Sequence, residues 1–152
     1  MRIAGLALAF ALALGGTACG GKKAEVKQPA PQASLYDRLG QKPAIEAVVD
    51  KFLANVSADT RINAKFATID ADEMAHFRQM LIDQVCEATG GPCKYTGKSM
   101  KEAHAGMGIT DDEFNALVED LKKALDDAGA KPEDRDQLLT ALGGMKGDIV
   151  GQ

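Results

Sequence analysis

The chain has 152 residues, 45% hydrophobic and 26% charged, with 22 acidic side chains against 18 basic ones and a net charge of −4. Tryptophan is absent, aromatics make up 5%, and runs of β-branched residues are few, which argues against a sheet core. An acidic balance with no lysine or arginine stripe excludes the electrostatic footprint of a nucleic-acid binder.

Met1-Arg2 gives a positive start, Ile3 to Leu14 is an almost unbroken apolar run, and Gly15-Gly16-Thr17-Ala18 lead into Cys19. The run is too short to span a membrane and fits the apolar region of a secretory signal peptide. A cysteine directly after small residues resembles the processing box of bacterial lipoproteins, in which Cys19 becomes the lipidated N-terminus. Gly16 departs from that box, which usually carries an aliphatic residue there. The alternative is an ordinary signal peptide with an incidental cysteine. The expectation is a signal peptide over 1–18, then a lipidated cysteine and linker over 19–33, with the acyl chains supplying membrane affinity. Gly20 to Ala33 carries three lysines and two prolines, the composition of a spacer that holds a domain off a surface. The chain is thus expected to be exported and periplasm-facing. Gly20 after the cysteine, with no aspartate there, points to the outer membrane if the source is Gram-negative.

Residues 34–152 are enough for one domain with its own core. All but four of the basic and all but one of the acidic residues fall there, 14 against 21. The apolar spacing is helical almost throughout, so the fold class is all-α. Leu35-Tyr36 to Leu39-Gly40 reads as a short helix and a turn. A helix is predicted from Pro43, a good first-turn residue, with Ile45, Val48, Val49, Phe52, Leu53 and Val56 on its buried face and Asp50, Lys51 and Asn55 opposite. Ser57 to Ile69 is a polar connection carrying Phe66. A second helix is predicted over Asp72 to Thr89, capped by Asp70 or Asp72, with Met74, Phe77, Leu81, Val85 and Ala88 as its stripe and Met80 and Gln84 on one shoulder. His76 points away from that stripe. Gly90-Gly91-Pro92 ends this helix.

The stretch Gly90 to Thr110 holds His104, one of two histidines in the chain. Met100, Ala103 and Met107 put it on the apolar side of a short helical turn. There it is either a core imidazole satisfied by a hydrogen bond or a metal ligand through one ring nitrogen. Thr110 and Glu113 then form a capping box for a helix with Phe114, Leu117, Val118, Leu121, Leu125 and Ala128 on one face, ended by Gly129. Pro132 opens a last helix with Leu138, Leu139, Leu142, Met145 and Ile149 inward, kinked at Gly143-Gly144.

The order of these features is similar to a known family. Leu35-Tyr36-Asp37-Arg38-Leu39-Gly40, then Ala44 to Phe52, Phe66 at a corner, Gly90-Gly91-Pro92, Tyr95-Thr96-Gly97 and Met100 to Thr110 around His104 resemble the group I truncated haemoglobins over Ser34 to Val150. The resemblance implies a two-over-two helical globin sandwich around haem b. It puts His104 at the proximal iron ligand, Phe66 on the porphyrin face, Met100, Phe114 and Leu117 along the haem and Tyr95 near its edge. No Cys-x-x-Cys-His occurs in the sequence, so thioether attachment is not expected.

The distal positions depart from the common family pattern. Leu53 stands where many members carry a tyrosine that hydrogen-bonds the bound gas. Phe77 and Leu81 occupy the next distal positions, and Gln84 is the one amide placed to compensate. A donor there is worth about 1–3 kcal/mol, so its absence weakens oxygen storage. Met80 aligns where some relatives have a second iron-ligating histidine. It either closes the sixth position as a thioether, raising the redox potential, or fills an apolar gap. Cys86 and Cys93 flank the glycine turn. They are either two free buried thiols or, in an exported protein, a disulfide closing a short loop.

The leading expectation is a haem protein binding oxygen, nitric oxide or carbon monoxide. The alternatives are nitric oxide dioxygenation, which the missing tyrosine and the distance from cytosolic reductants disfavour, and electron transfer through a His/Met haem to an unknown redox partner.

Overall fold

The computed structural model describes residues 32–152, so the expected signal peptide, the expected lipidation at Cys19 and most of the expected linker lie outside the described residues. Ser34 opens the fold by accepting a hydrogen bond from the Asp37 amide at 3.1 Å, which starts the five-residue helix α1, Leu35–Leu39. Gly40 (φ 97°) and Gln41 (φ 63°) then take two successive left-handed conformations. A Cβ on Gly40 would lie 3.0 Å from that of Ala44, so this turn requires glycine. The sharp reversal lets α2, Gln41–Ala58, begin two residues before the predicted start at Pro43. Pro43 still sits in the first turn, where a missing N–H costs nothing.

The rest follows as a short 3₁₀ turn at Asn63–Phe66, then α3 (Ala71–Ala88), α4 (Met100–His104), α5 (Asp111–Asp127), α6 (Pro132–Gly143) and a 3₁₀ turn at Lys146–Asp148. Asp70 caps α3 by accepting from the amides of Asp72 and Glu73, both at 2.9 Å, while Glu73 accepts from the Asp70 amide at 3.1 Å. Thr110 and Glu113 form the same box on α5. Gly143-Gly144 ends α6 rather than kinking it, because Gly144 is its C-cap and the chain tightens into the 3₁₀ turn.

α2 is the central helix. It packs on both α3 and α5, and α5 packs on α6. The shared core holds Ile45, Val48, Val49, Phe52 and Val56 from α2, Ile82, Val85 and Cys86 from α3, Ala116, Ala124 and Leu125 from α5, and Leu138 from α6. Each large apolar side chain removed from water there contributes about 1.5–3 kcal/mol. Two predicted stripes are corrected by this arrangement. Ala88 and Ala128 are exposed, while Ile82, Cys86, Ala116 and Ala124 carry the burial. α3 and α5 each have two apolar faces, and the sequence pattern averages over them. On α5, Ala116, Asp120 and Ala124 recur every four residues, and the small alanines let α2 approach closely. Asn55, predicted on the polar face of α2, instead donates its side-chain amide to the Asp120 carbonyl at 3.1 Å.

Two carboxylates are buried with one oxygen unpartnered among the described residues, those of Asp120 and Asp134. Asp134 is neutralised by the Arg38 guanidinium, whose Nε lies 2.6 Å away, and it sits in the first turn of α6, where the helix dipole favours an anion. Asp120 has no such partner. Burial first, and then the neighbouring Asp59 charge, push its carboxyl above the usual carboxylate range, against the opposing pull of Arg61 and Lys123. Among the described residues, no helix is long and apolar enough to cross a membrane.

Candidate haem-type site

The helices that fill the core also carry a second set of apolar side chains left half-buried. These are Leu53 on α2, Phe66 in the 3₁₀ turn, Phe77, Met80 and Leu81 on α3, Met100 on α4, Leu117 and Leu121 on α5, and Met145. Leu53, Phe66, Leu81, Leu117 and Leu121 pack against the core on one side, and the surface they leave open, with that of Phe77, Met80, Met100 and Met145, is apolar area a ligand could cover.

At one end the Phe66 and Phe77 rings lie 5.9 Å apart, tilted by 37°. An open groove lined by Thr68, Ile69, Asp72, Glu73, His76 and Phe77 runs beside them, and His76 is exposed there. At the other end the Gln84 side-chain amide donates to the Met100 sulfur at 3.3 Å and to the Met145 sulfur at 3.5 Å. Gln84 therefore reaches toward α4 and the C-terminal segment, and Met100 there is itself one of the residues expected along the haem. Thioethers are weak acceptors. Phe114 is 6% exposed, with the Lys146 ammonium 5.5 Å from its ring centre.

His104 is the last residue of α4 and is half-buried. Its Nδ1 lies 2.7 Å from the Met100 carbonyl oxygen. A carbonyl only accepts, so Nδ1 carries the proton and Nε2 holds the lone pair in the neutral ring. A backbone carbonyl behind a ligating imidazole fixes its tautomer and orientation. Among the described residues, no three or more His, Cys, Asp or Glu side chains are grouped to hold a metal ion. One imidazole cannot hold a bare ion, so a metal here must bring its remaining ligands with it.

The approach to His104 is built from local hydrogen bonds. Ser99 and Glu102 form a capping box on α4, a Ser-x-x-Glu signal visible in the sequence and missed there. The Tyr95 hydroxyl donates to the Lys98 carbonyl at 2.8 Å, and the Glu87 carboxylate accepts from the Tyr95 amide at 3.0 Å and from Lys94 at 2.8 Å. Lys94 and that amide hold the Glu87 carboxyl below its ordinary range. Cys86 and Cys93 are joined by a disulfide, with their Cα atoms 5.7 Å apart. Beyond α4, Lys65 donates to the Met107 carbonyl at 2.9 Å.

Residues 34–150 match the family described as Bacterial-like globin. The group 1 truncated haemoglobin of Synechocystis is 36% identical over 128 residues, covering 79% of this chain and 99% of that protein. The one from Mycolicibacterium paratuberculosis is 34% identical over 121 residues, covering 80% and 87%. Among solved structures, the Fe(III) truncated haemoglobin of Tetrahymena pyriformis aligns with a TM-score of 0.74 at 30% identity, covering 79% of this chain and 100% of that one. The 2/2 haemoglobin of Synechococcus, a cyanomet form with covalently attached haem, aligns with a TM-score of 0.72 at 32% identity over the same shares. The half-buried apolar walls, the single oriented imidazole and these matches converge on one conclusion: the chain belongs to the bacterial-like globins, as a group I truncated haemoglobin.

Proposed function

We propose that this globin is an exported, lipid-anchored haem b protein that binds a diatomic gas at an iron held by His104. The observation that carries the reading is the His104 ring, whose Nδ1–H is committed to the Met100 carbonyl, leaving Nε2 for a metal. The half-buried side chains of Leu53, Phe66, Phe77, Leu81, Met100 and Leu117 fit a flat apolar macrocycle, and the lone imidazole fits an axial ligand. Haem held by His104 would supply an iron able to take oxygen, nitric oxide or carbon monoxide. The chain's own part is to hold the ring, exclude water and set the polarity opposite His104. That polarity is low. Leu53, Phe77 and Leu81 carry no donor, and the Gln84 amide is directed at the Met100 and Met145 sulfurs. Met80 is half-buried, and its flexible thioether brings no hydrogen-bond donor. Such a site favours carbon monoxide and nitric oxide over oxygen, because oxygen gains most from a donor.

Haem titrated into the purified domain should give a Soret band that shifts when carbon monoxide is added to the reduced form. A chain that takes up no haem would sink the reading. The leader supports the export half of the proposal: Cys19 follows small residues after a short apolar run, and residues 20–33 have spacer composition. Full-length protein should fractionate with membranes and incorporate labelled palmitate, and Cys19→Ser should abolish both. Labelling that survives the substitution would reject the anchor.

A further inference from the structure

We infer that the Cys86–Cys93 disulfide anchors a brace that positions the His104 imidazole. This inference rests on the haem reading above. The bridge starts from the last turn of α3, where Cys86 is fully buried. Its partner, Cys93, lies in an irregular stretch between α3 and α4. Gly91 makes the approach possible, since a Cβ there would come within 2.7 Å of the Cys86 sulfur and 2.5 Å of the Tyr36 ring.

From Cys93 the linkage runs without a gap. Next along α3, Glu87 holds the Tyr95 amide at 3.0 Å. The Tyr95 ring folds back over Gly97, leaving no room for a Cβ there, and its hydroxyl donates to the Lys98 carbonyl at 2.8 Å. Ser99 then caps α4, and the Met100 carbonyl at the head of that helix accepts from His104 at 2.7 Å. α4 is five residues long, and its main packing partner is the Lys146–Asp148 turn. A helix this short has little stability of its own, so what enters it upstream decides where its imidazole sits. Glu87 alone offers hydrogen bonds at a partly exposed site, worth little by themselves. The covalent bond is the member of the linkage that exchange with water cannot open.

The brace is removed by the Cys86→Ala, Cys93→Ala double variant, or by a water-soluble trialkylphosphine. In the second case the phosphine is oxidised to its oxide with an oxygen from water, and the disulfide takes up two electrons and two protons to give two thiols. The measurements are haem transfer to excess apomyoglobin and the iron–histidine stretching band of the ferrous form. Without the bridge, haem should leave about tenfold faster or more, the range for losing support behind a metal ligand, and the band should shift or broaden. Tyr95→Phe, which keeps the bridge and the cap, should move both readouts in the same direction by a smaller amount. Combined with the double variant it should add less than its effect alone, because the two act through one linkage. An unchanged haem-loss rate and stretching band, with only a lower melting temperature, would overturn the inference and leave a simple staple.

Amide exchange over residues 94–104 of the haem-free chain reads the brace without the cofactor. Faster exchange on reduction supports it, and unchanged exchange overturns it. A wild-type chain that never takes up haem rejects the function proposed above, whereas this exchange experiment still decides the brace.

Discussion

His104→Ala should purify as a folded helical protein that has lost stable haem binding. The affinity should fall by more than about 100-fold, beyond the 10–100-fold that residues behind a metal ligand typically contribute. The chain has one other histidine, His76. His76 is exposed on α3, and no alternative cluster of ligating side chains exists among the described residues. The fold should survive because the side chains that hold it, such as Ile45, Ile82, Leu125 and Leu138, are at most 2% exposed, and none depends on the imidazole. Circular dichroism should therefore match wild type while the Soret band is lost. Free imidazole should restore part of that band, and His76→Ala should leave it intact. Wild-type haem affinity in the His104 variant would reject the assignment.

Leu53→Tyr should slow oxygen dissociation from the ferrous protein by about tenfold or more, since a donor to a polar ligand contributes about 1–3 kcal/mol and each 1.4 kcal/mol is a factor of ten. Leu53 follows the buried Phe52 on α2 and is half-buried itself, so the larger ring has room at a modest stability cost. Leu53→Phe is the control, adding the ring without the hydroxyl. Stopped-flow replacement of oxygen by carbon monoxide gives the rate. Equal rates for the tyrosine and phenylalanine variants would show that the hydroxyl does not reach the gas. Carbon monoxide release should change much less, because that ligand is a poor acceptor.

Much of the fold was legible in the residues because local signals and burial agree. Thr110 with Glu113 is a capping box in sequence and in space, Asp70 is one of the two caps expected for α3, and the α2 stripe through Ile45, Val49, Phe52 and Val56 is its buried face. The misses share a cause. A helix with two buried faces has no single stripe, so Ile82 and Cys86 were hidden behind the more conspicuous Phe77 and Leu81. Alanine carries little hydrophobic signal, so the Ala116–Ala124 face against α2 went unread. Gly143-Gly144 reads equally as a kink or an end, and only the 3₁₀ turn that follows decides. For the site, the apolar spacing never excluded a core histidine at His104. The motif order carried the sequence assignment, and the Met100 carbonyl then gave it a mechanism. The contacts of Gln84 are not legible in the sequence because its partners, Met100 and Met145, lie 16 and 61 residues away along the chain.

The brevity of α4 makes the cofactor a folding partner as well as a reagent. A five-residue helix that packs mainly on one 3₁₀ turn belongs to the segments that open at low free-energy cost. A ligand that binds only the closed form stabilises it by mass action, by about 2.7 kcal/mol at a hundredfold excess over its dissociation constant. Resistance of this segment to proteases should therefore rise with haem supply, with cleavage around α4 the first to appear when haem is withheld.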